Sequence, residues 1–232
     1  NKAVSTKPYT EKITELVQQV SAAGGEIDHP LLRKNTETSK QAVLLLTSNR
    51  GLCGGYNAGV IRAAMASINA NEKDNIETDL YVIGKKGVNY FKFLNRTMYR
   101  TYPDMADAPS FDEIEPIATG FMDSYVRGDY ASVRIAYTKF ITASRQTPEV
   151  IQLLPIESEE GDSDATAKSS AQYEFLPEPR ALLAELLPAT VKVRLLQCVN
   201  DTVVSENVSR MVAMKSATDA ANDMAKLLGQ QF

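Results

Sequence analysis

The sequence predicts an α/β fold: an open three-layer sheet domain with helices on both faces, extended by an antiparallel coiled coil of the N- and C-terminal helices. Three observations carry this expectation. Short branched-apolar runs alternate three times with helical periodicity, narrow apolar seams are confined to the two chain ends, and a glycine pair with turn residues separates the first seam from the rest.

Residues 4–20 space Tyr9, Ile13, Leu16 and Val20 by four, three and four, the rhythm of a helix with one narrow apolar seam. Pro8 fits either the first turn of that helix or a kink in a helix entering from upstream. The chain opens at Asn1 without a methionine, so a fragment is the expectation. Gly24 and Gly25 end the helix, and Asp28, His29 and Pro30 begin a turn-rich connection to about Lys40.

Residues 42–48 are almost wholly apolar and predict a buried strand, which feeds through a glycine-rich loop into a helix over about 57–71. Residues 80–84 with a helix through 94, and 97–102 with a helix over about 111–127, repeat the unit. Residues 133–140 and 150–156 read as two further strands around a polar stretch containing Thr147 and Pro148, a hairpin or long-arm extension of the sheet. The acidic segment 157–170 reads as an exposed loop, and 172–176 as a short strand ended by Pro177 and Pro179.

A short helix over 178–187 is expected, then a long one starting at Pro188 and reaching about Leu228. Its residues Met214, Ala217, Ala221, Met224 and Leu228 step by three, four, three and four. A seam this narrow suits a single partner helix, and its match at the other chain end makes an antiparallel pair the economical arrangement. Two separate helices packed on the body are the alternative. The expected divisions are a coiled-coil helix over 1–28, an α/β domain over 41–176 and a helical segment over 177–232 that pairs with the first.

Composition excludes several classes. With 25 Lys and Arg against 29 Asp and Glu, the net charge of −4 weakly repels polyanions, so nucleic acid is not expected as a partner. Cys53, Cys198 and the single histidine, His29, cannot assemble a zinc or iron–sulfur ligand set at the usual spacings, nor a disulfide framework. The longest apolar run, 42–46, falls far short of the ~20 residues of a membrane span, so direct insertion is not expected.

The loop Ser48-Asn49-Arg50-Gly51-Leu52-Cys53-Gly54-Gly55 lies where α/β proteins cradle phosphates. No Lys-Ser or Lys-Thr follows its glycines, and the spacing of Gly51, Gly54, Gly55 and Gly59 departs from the dinucleotide fingerprint. A structural role is expected for Gly51, Gly54 and Gly55, with close approach of loop and helix, and no cofactor is expected. Cys53 lacks both a neighbouring histidine and an arginine at position 59, where glycine stands, so a small buried thiol is the reading. His29, without a nucleophile in view, reads as a turn residue. Arg210 and Lys215, with Glu206 one turn before Arg210, read as a solvated face with i to i+4 pairing, or as a surface offered to whatever surrounds a slender coiled coil.

The segments KPYTEKI, DHPLL, TSNRGLCGGYN, IGKKGVNYF, YTKFI with QLLPI, YEFLPEP and SENVSRMVAMKSATDAANDM follow one another in this order. Together they resemble the gamma subunits of F-type ATP synthases over essentially the whole chain, with SNRGLCGG and RMVAMKSATDAA the most specific pieces. The resemblance implies a rotor shaft without bond chemistry of its own, whose two terminal helices enter a ring of alpha and beta subunits while its α/β base docks on the epsilon subunit and the c-ring. It implies that Arg210 meets acidic loops of a beta subunit, with Lys215 on the same helix, and that Tyr173, Glu174 and Phe175 form a foot facing the c-ring and epsilon. Family members carry more helix before Asn1 and a longer tail after Phe232. The resemblance favours a bacterial source and a peripheral position on the cytoplasmic face of the inner membrane. The 157–170 segment has no cysteine pair, so the thiol switch of chloroplast-type members is not implied.

Overall fold

The computed structural model describes residues 29–156 and 179–230, with side chains of the last helix from residue 184 onward. The expected N-terminal helix, the acidic loop 157–170 and the strand over 172–176 lie outside the described residues. Strands β1 (Gln41–Leu46), β2 (Thr78–Ile83), β3 (Arg100–Tyr102), β4 (Ser132–Thr142) and β5 (Arg145–Leu154) form one sheet in the order β3-β2-β1-β4-β5. Helices α1 (Tyr56–Lys73), α2 (Lys85–Phe93) and α3 (Phe111–Val126) connect the first four strands, and α4 (Pro179–Gly229) closes the described chain. The sheet is mixed: β1 to β4 run parallel, and β5 pairs antiparallel with β4.

Every residue of β1 is buried, because this strand sits at the sheet centre with helices on both faces. Ala42, Leu44 and Leu46 enter one core with Phe121 and Tyr125 of α3 and Leu187, Val191 and Leu195 of α4. Val43 and Leu45 enter the other with Val60, Ala64 and Ile68 of α1 and Val88 and Phe91 of α2. Handedness explains the division. The crossovers from β1 to β2 and from β2 to β3 advance in one direction and keep α1 and α2 on one face. The return from β3 to β4 reverses direction, so a right-handed connection sends α3 to the opposite face.

At the edge where the parallel strands start, polar ties hold the connections. Lys40 pairs with Glu77 and Asp79 at 3.0 and 3.1 Å, and the Tyr130 hydroxyl donates to Asp79 at 2.8 Å. The Asn35 amide donates to the carbonyls of Tyr125 and Tyr130, both at 2.8 Å, anchoring the 29–40 connection to the end of α3. His29 is the expected turn residue: its Nδ1 accepts the Leu31 N–H at 3.2 Å.

Three expectations are corrected. The helix expected over 178–187 and the helix expected from Pro188 are one, since α4 runs unbroken through Pro188. Leu187 and Val191 flank that proline and are both buried on the sheet; this packing outweighs the one hydrogen bond a proline removes. The polar stretch with Thr147 and Pro148 does not separate the last two strands but belongs to β5, opposite Lys139 and Thr138. Among the described residues β5 is an edge strand, where a missing N–H need not break a ladder. The third strand is also shorter than residues 97–102, covering Arg100–Tyr102.

Cys198 lies under α4 in the first core, and burial pushes its thiol from an ordinary value near 9.0 up to about 12. A group whose pKa is higher folded than unfolded stabilises fully below the unfolded value and loses that contribution as pH rises through the folded one. Stability should therefore fall from about pH 9 upward, with a limiting slope of ~1.4 kcal/mol per pH unit. Tyr56, Tyr130 and Tyr137, also raised by burial, add to the fall above pH 10, near the ordinary tyrosine value. Urea unfolding at pH 8, 9 and 10 should show a flatter decline in Cys198→Ala than in wild type; parallel declines would refute the assignment.

Candidate functional site

At the end of β1 the chain enters the glycine loop. Thr47 sits on the shoulder of α2: its N–H donates to the Ile83 carbonyl at 2.9 Å and its hydroxyl to the same oxygen at 2.8 Å. The amides that open α2 all point at this loop. Lys85 N–H donates to Asn49 Oδ1 at 3.2 Å, Lys86 N–H to the Ser48 carbonyl at 3.0 Å, and Gly87 N–H to Thr47 Oγ1 at 3.0 Å. Such amides make a phosphate cradle only while they are free. Here the chain's own oxygens occupy them.

The approach is close enough to dictate residue type. A Cβ on Gly84, whose φ is +96, would lie 2.1 Å from the Thr47 carbonyl oxygen. Asn57, at the start of α1, fastens the other side: its Oδ1 accepts the Ser48 N–H at 3.0 Å, and its amide donates to the Cys53 sulfur at 3.3 Å. Cys53 is 2% exposed, a small buried thiol as expected. Arg50 and Asp107 form an ion pair at 2.6 Å, and the Asn49 amide donates to the Met105 carbonyl at 2.8 Å.

Over this crest lies α4. Val199, Thr202, Val203 and Glu206 face Leu46, Thr47, Asn49 and Gly84, leaving a void of about 30 Å³. That holds a water or two, against ~300 Å³ or more for a small-molecule site. A wider recess of about 600 Å³ lies between the 29–31 turn, α3 and α4. Several of its polar groups are engaged: Lys192 pairs with Glu115 at 2.6 Å, Arg127 pairs with Asp129 at 2.8 Å, and His29 Nδ1 is taken as above.

The loop glycines divide into different roles. Gly54 has φ +57, while an added Cβ would meet the Cβ of Ala213 on α4 only at an ordinary contact distance of 4.0 Å, so conformation and not close approach calls for glycine there. Gly51 lies beside Lys86, with 3.4 Å to its Nζ. Gly55 has open space around it and φ −80, so close approach does not account for it. The tight contact that sequence pattern missed is Gly59, 3.0 Å from Pro148 Cγ of β5. Leu52 also adopts a left-handed φ of 61 and is 74% exposed.

Arg210 is less solvated than its sequence setting suggests. Its guanidinium binds Glu206 at 2.5 Å, and its Nε donates to the Gly51 carbonyl at 3.3 Å. The Glu206 side chain is only 7% exposed, and its hydrogen bond, followed by its negative charge, raises the Arg210 pKa above the ordinary value. The structure thus brings Arg210, Glu206 and Gly51 together in one intrachain contact. Lys215, farther along the same helix, is exposed, whereas Tyr173, Glu174 and Phe175 lie outside the described residues. Sequence reading missed Tyr56, Thr202 and Ser205 at this seat. Thr202, Ser205, Glu206 and Ser209 form a polar stripe at helical spacing, which is the signal that could have found them.

The family model described as "ATP synthase" matches residues 1–232. The ATP synthase gamma chain of Rhodopirellula baltica is 39% identical over 236 residues, spanning 100% of this chain and 80% of that one. The chain belongs to the ATP synthase gamma chain family. The gamma chain of Leptospira biflexa is 35% identical, again over 100% of this chain and 80% of that one. The fold resembles the rotor of Euglena gracilis mitochondrial ATP synthase, with TM-score 0.57 and 18% identity over 99% and 93% of the two chains. A Tetrahymena thermophila mitochondrial central stalk/c-ring chain matches with TM-score 0.58 and 16% identity over 94% and 100%.

For this gamma chain, the loop geometry makes a sharp comparison. Gly54→Ala should cost ~1–2 kcal/mol, the penalty of a left-handed L-residue, while Gly55→Ala should stay within ~0.5 kcal/mol of wild type or gain slightly. Urea denaturation measures both, and equal losses would contradict the described loop.

Proposed function

We propose that this chain is the central-stalk rotor subunit of an F-type ATP synthase, transmitting torque between an ion-driven c-ring and the catalytic alpha/beta ring. The observation that carries the proposal is the long helix with two unlike halves. From Leu187 to Glu206, α4 buries a face on the sheet. From Met214 to Gly229 every residue is exposed, including Met214 at 38%, Met224 at 64% and Leu228 at 51%.

A bare helix of this length is marginal in water, and apolar residues spaced by three and four call for a partner helix. In this reading residues 1–28 supply it, winding antiparallel on α4, with 41–176 as the α/β base and 177–232 as the outgoing strand of the shaft. Nucleotide chemistry then belongs to the surrounding ring, a reading supported by the filled crest of the sheet. Lys215 and the exposed Leu52 face the ring, while Tyr173, Glu174 and Phe175 face the c-ring and epsilon. Attachment is peripheral, on the cytoplasmic face of a bacterial inner membrane; no described helix is long and apolar enough to cross a membrane.

The proposal is tested by co-expressing the chain with the alpha and beta subunits of its own source. One copy should co-purify with three alpha–beta pairs, and a bead attached to the chain should rotate on ATP addition. In the complete membrane-bound synthase of that source, Lys215→Ala should lower coupled turnover several-fold while leaving the thermal midpoint of the chain unchanged. Failure to co-assemble, or a saturable thermal shift of the chain alone with ATP, ADP or NAD, would favour a ligand-binding enzyme domain instead.

A further inference from the structure

We infer that Tyr56, Ser205, Glu206 and Arg210 form a polar collar that fixes the rotational setting of α4 where it leaves the sheet; this deepens the rotor reading and rests on it. The seat of α4 changes character along its length. Leu187, Val191, Leu195, Cys198 and Val199 are buried apolar residues, whose contacts are non-directional and tolerate small rotations. Beyond them the buried face turns polar: Asp201, Thr202, Ser205 and Glu206 are 2%, 6%, 0% and 5% exposed. These are the last turns before the helix emerges.

Three different elements grip this stretch. The Tyr56 hydroxyl of α1 donates to the Thr202 carbonyl at 3.3 Å. The Ser205 hydroxyl donates to the Thr138 carbonyl of β4 at 3.3 Å. Arg210 bridges the Glu206 carboxylate and the Gly51 carbonyl of the glycine loop. Hydrogen bonds weaken steeply with misalignment, so links approaching from α1, β4 and the loop together select one azimuth of the helix. Burying such groups is a poor way to gain stability, since apolar residues of similar volume often serve as well or better. What the polar set adds is directionality. A helix that carries torque needs that at its point of exit, because any slip there changes which face the shaft presents.

The test replaces the ion pair by apolar residues of similar volume, Glu206→Leu with Arg210→Met, in the full chain assembled into the complete membrane-bound synthase of its own source. Spin labels at Lys92→Cys on α2 and Lys226→Cys on α4 report the setting of the shaft; Cys53 and Cys198 are buried and escape labelling. The double variant should keep its thermal midpoint and subunit ratio, broaden the label–label distance distribution, and lose several-fold in ATP made per ion moved. Arg210→Lys, which keeps the charge, should recover part of that coupling. An unchanged distance distribution would overturn the collar, and so would a broadened one with full coupling. Loss of co-assembly by the unmodified chain would instead sink the rotor reading itself.

Discussion

The arrangement at the top of the sheet depends on one set of hydrogen bonds: residues 47–49 consume the first amides of α2. Once Thr47, Ser48 and Asn49 cap Lys85, Lys86 and Gly87, the crest carries no free backbone donors from that helix start. A helix can then lie across it without stranding a buried N–H, a cost that would otherwise run to ~1–3 kcal/mol. The same contact forces glycine at position 84, where the chain turns with φ +96 hard against Thr47. In a ligand-binding α/β protein those amides would wait for phosphate. Here they help lay a floor for α4.

That floor explains why the last helix can be both anchored and projecting. Its first half joins the larger core with α3, sharing Phe121, Tyr125 and Leu44 with Leu187, Val191 and Leu195. In its second half, from Met214 to Gly229, every residue is exposed, with no described element packed against it. Burial of apolar area secures the first half, at ~25 cal/mol per Å². Nothing comparable secures the second within the described residues, which is why the exposed methionines and leucines read as an unpaired seam.

Much of this was legible in the sequence, and the failures have physical causes. The strand at 41–46 was legible because burial on both faces leaves no alternation, only a continuous apolar run. The open sheet with helices on both faces followed from the alternation of units. Pro188 misled because its cost is local while the burial of Leu187 and Val191 that offsets it is tertiary. Thr147 and Pro148 misled because propensity does not reveal that β5 is an edge. At the glycine loop, the missing Lys-Ser or Lys-Thr argued against a phosphate site, but capping of α2 by residues 36 to 40 positions upstream could not be read from spacing. Glu206 and Arg210 read as a solvated pair, since i to i+4 spacing is the same on a wet face and under a loop.

The proposed shaft sets two mechanical demands that a single kind of contact does not meet. Along its length, an apolar seam lets two helices hold each other through many small, interchangeable contacts, so strain spreads over the pair. At the base, the same property would be a fault: interchangeable contacts allow the helix to turn in its seat. The chain places its non-directional contacts from Leu187 to Val199 and its directional ones from Thr202 to Arg210. The order matters, because a twist applied to the exposed half reaches the polar stretch first. A helix seated the other way round, with its hydrogen bonds deep and its apolar contacts at the exit, would turn through the apolar section before any directional bond resisted.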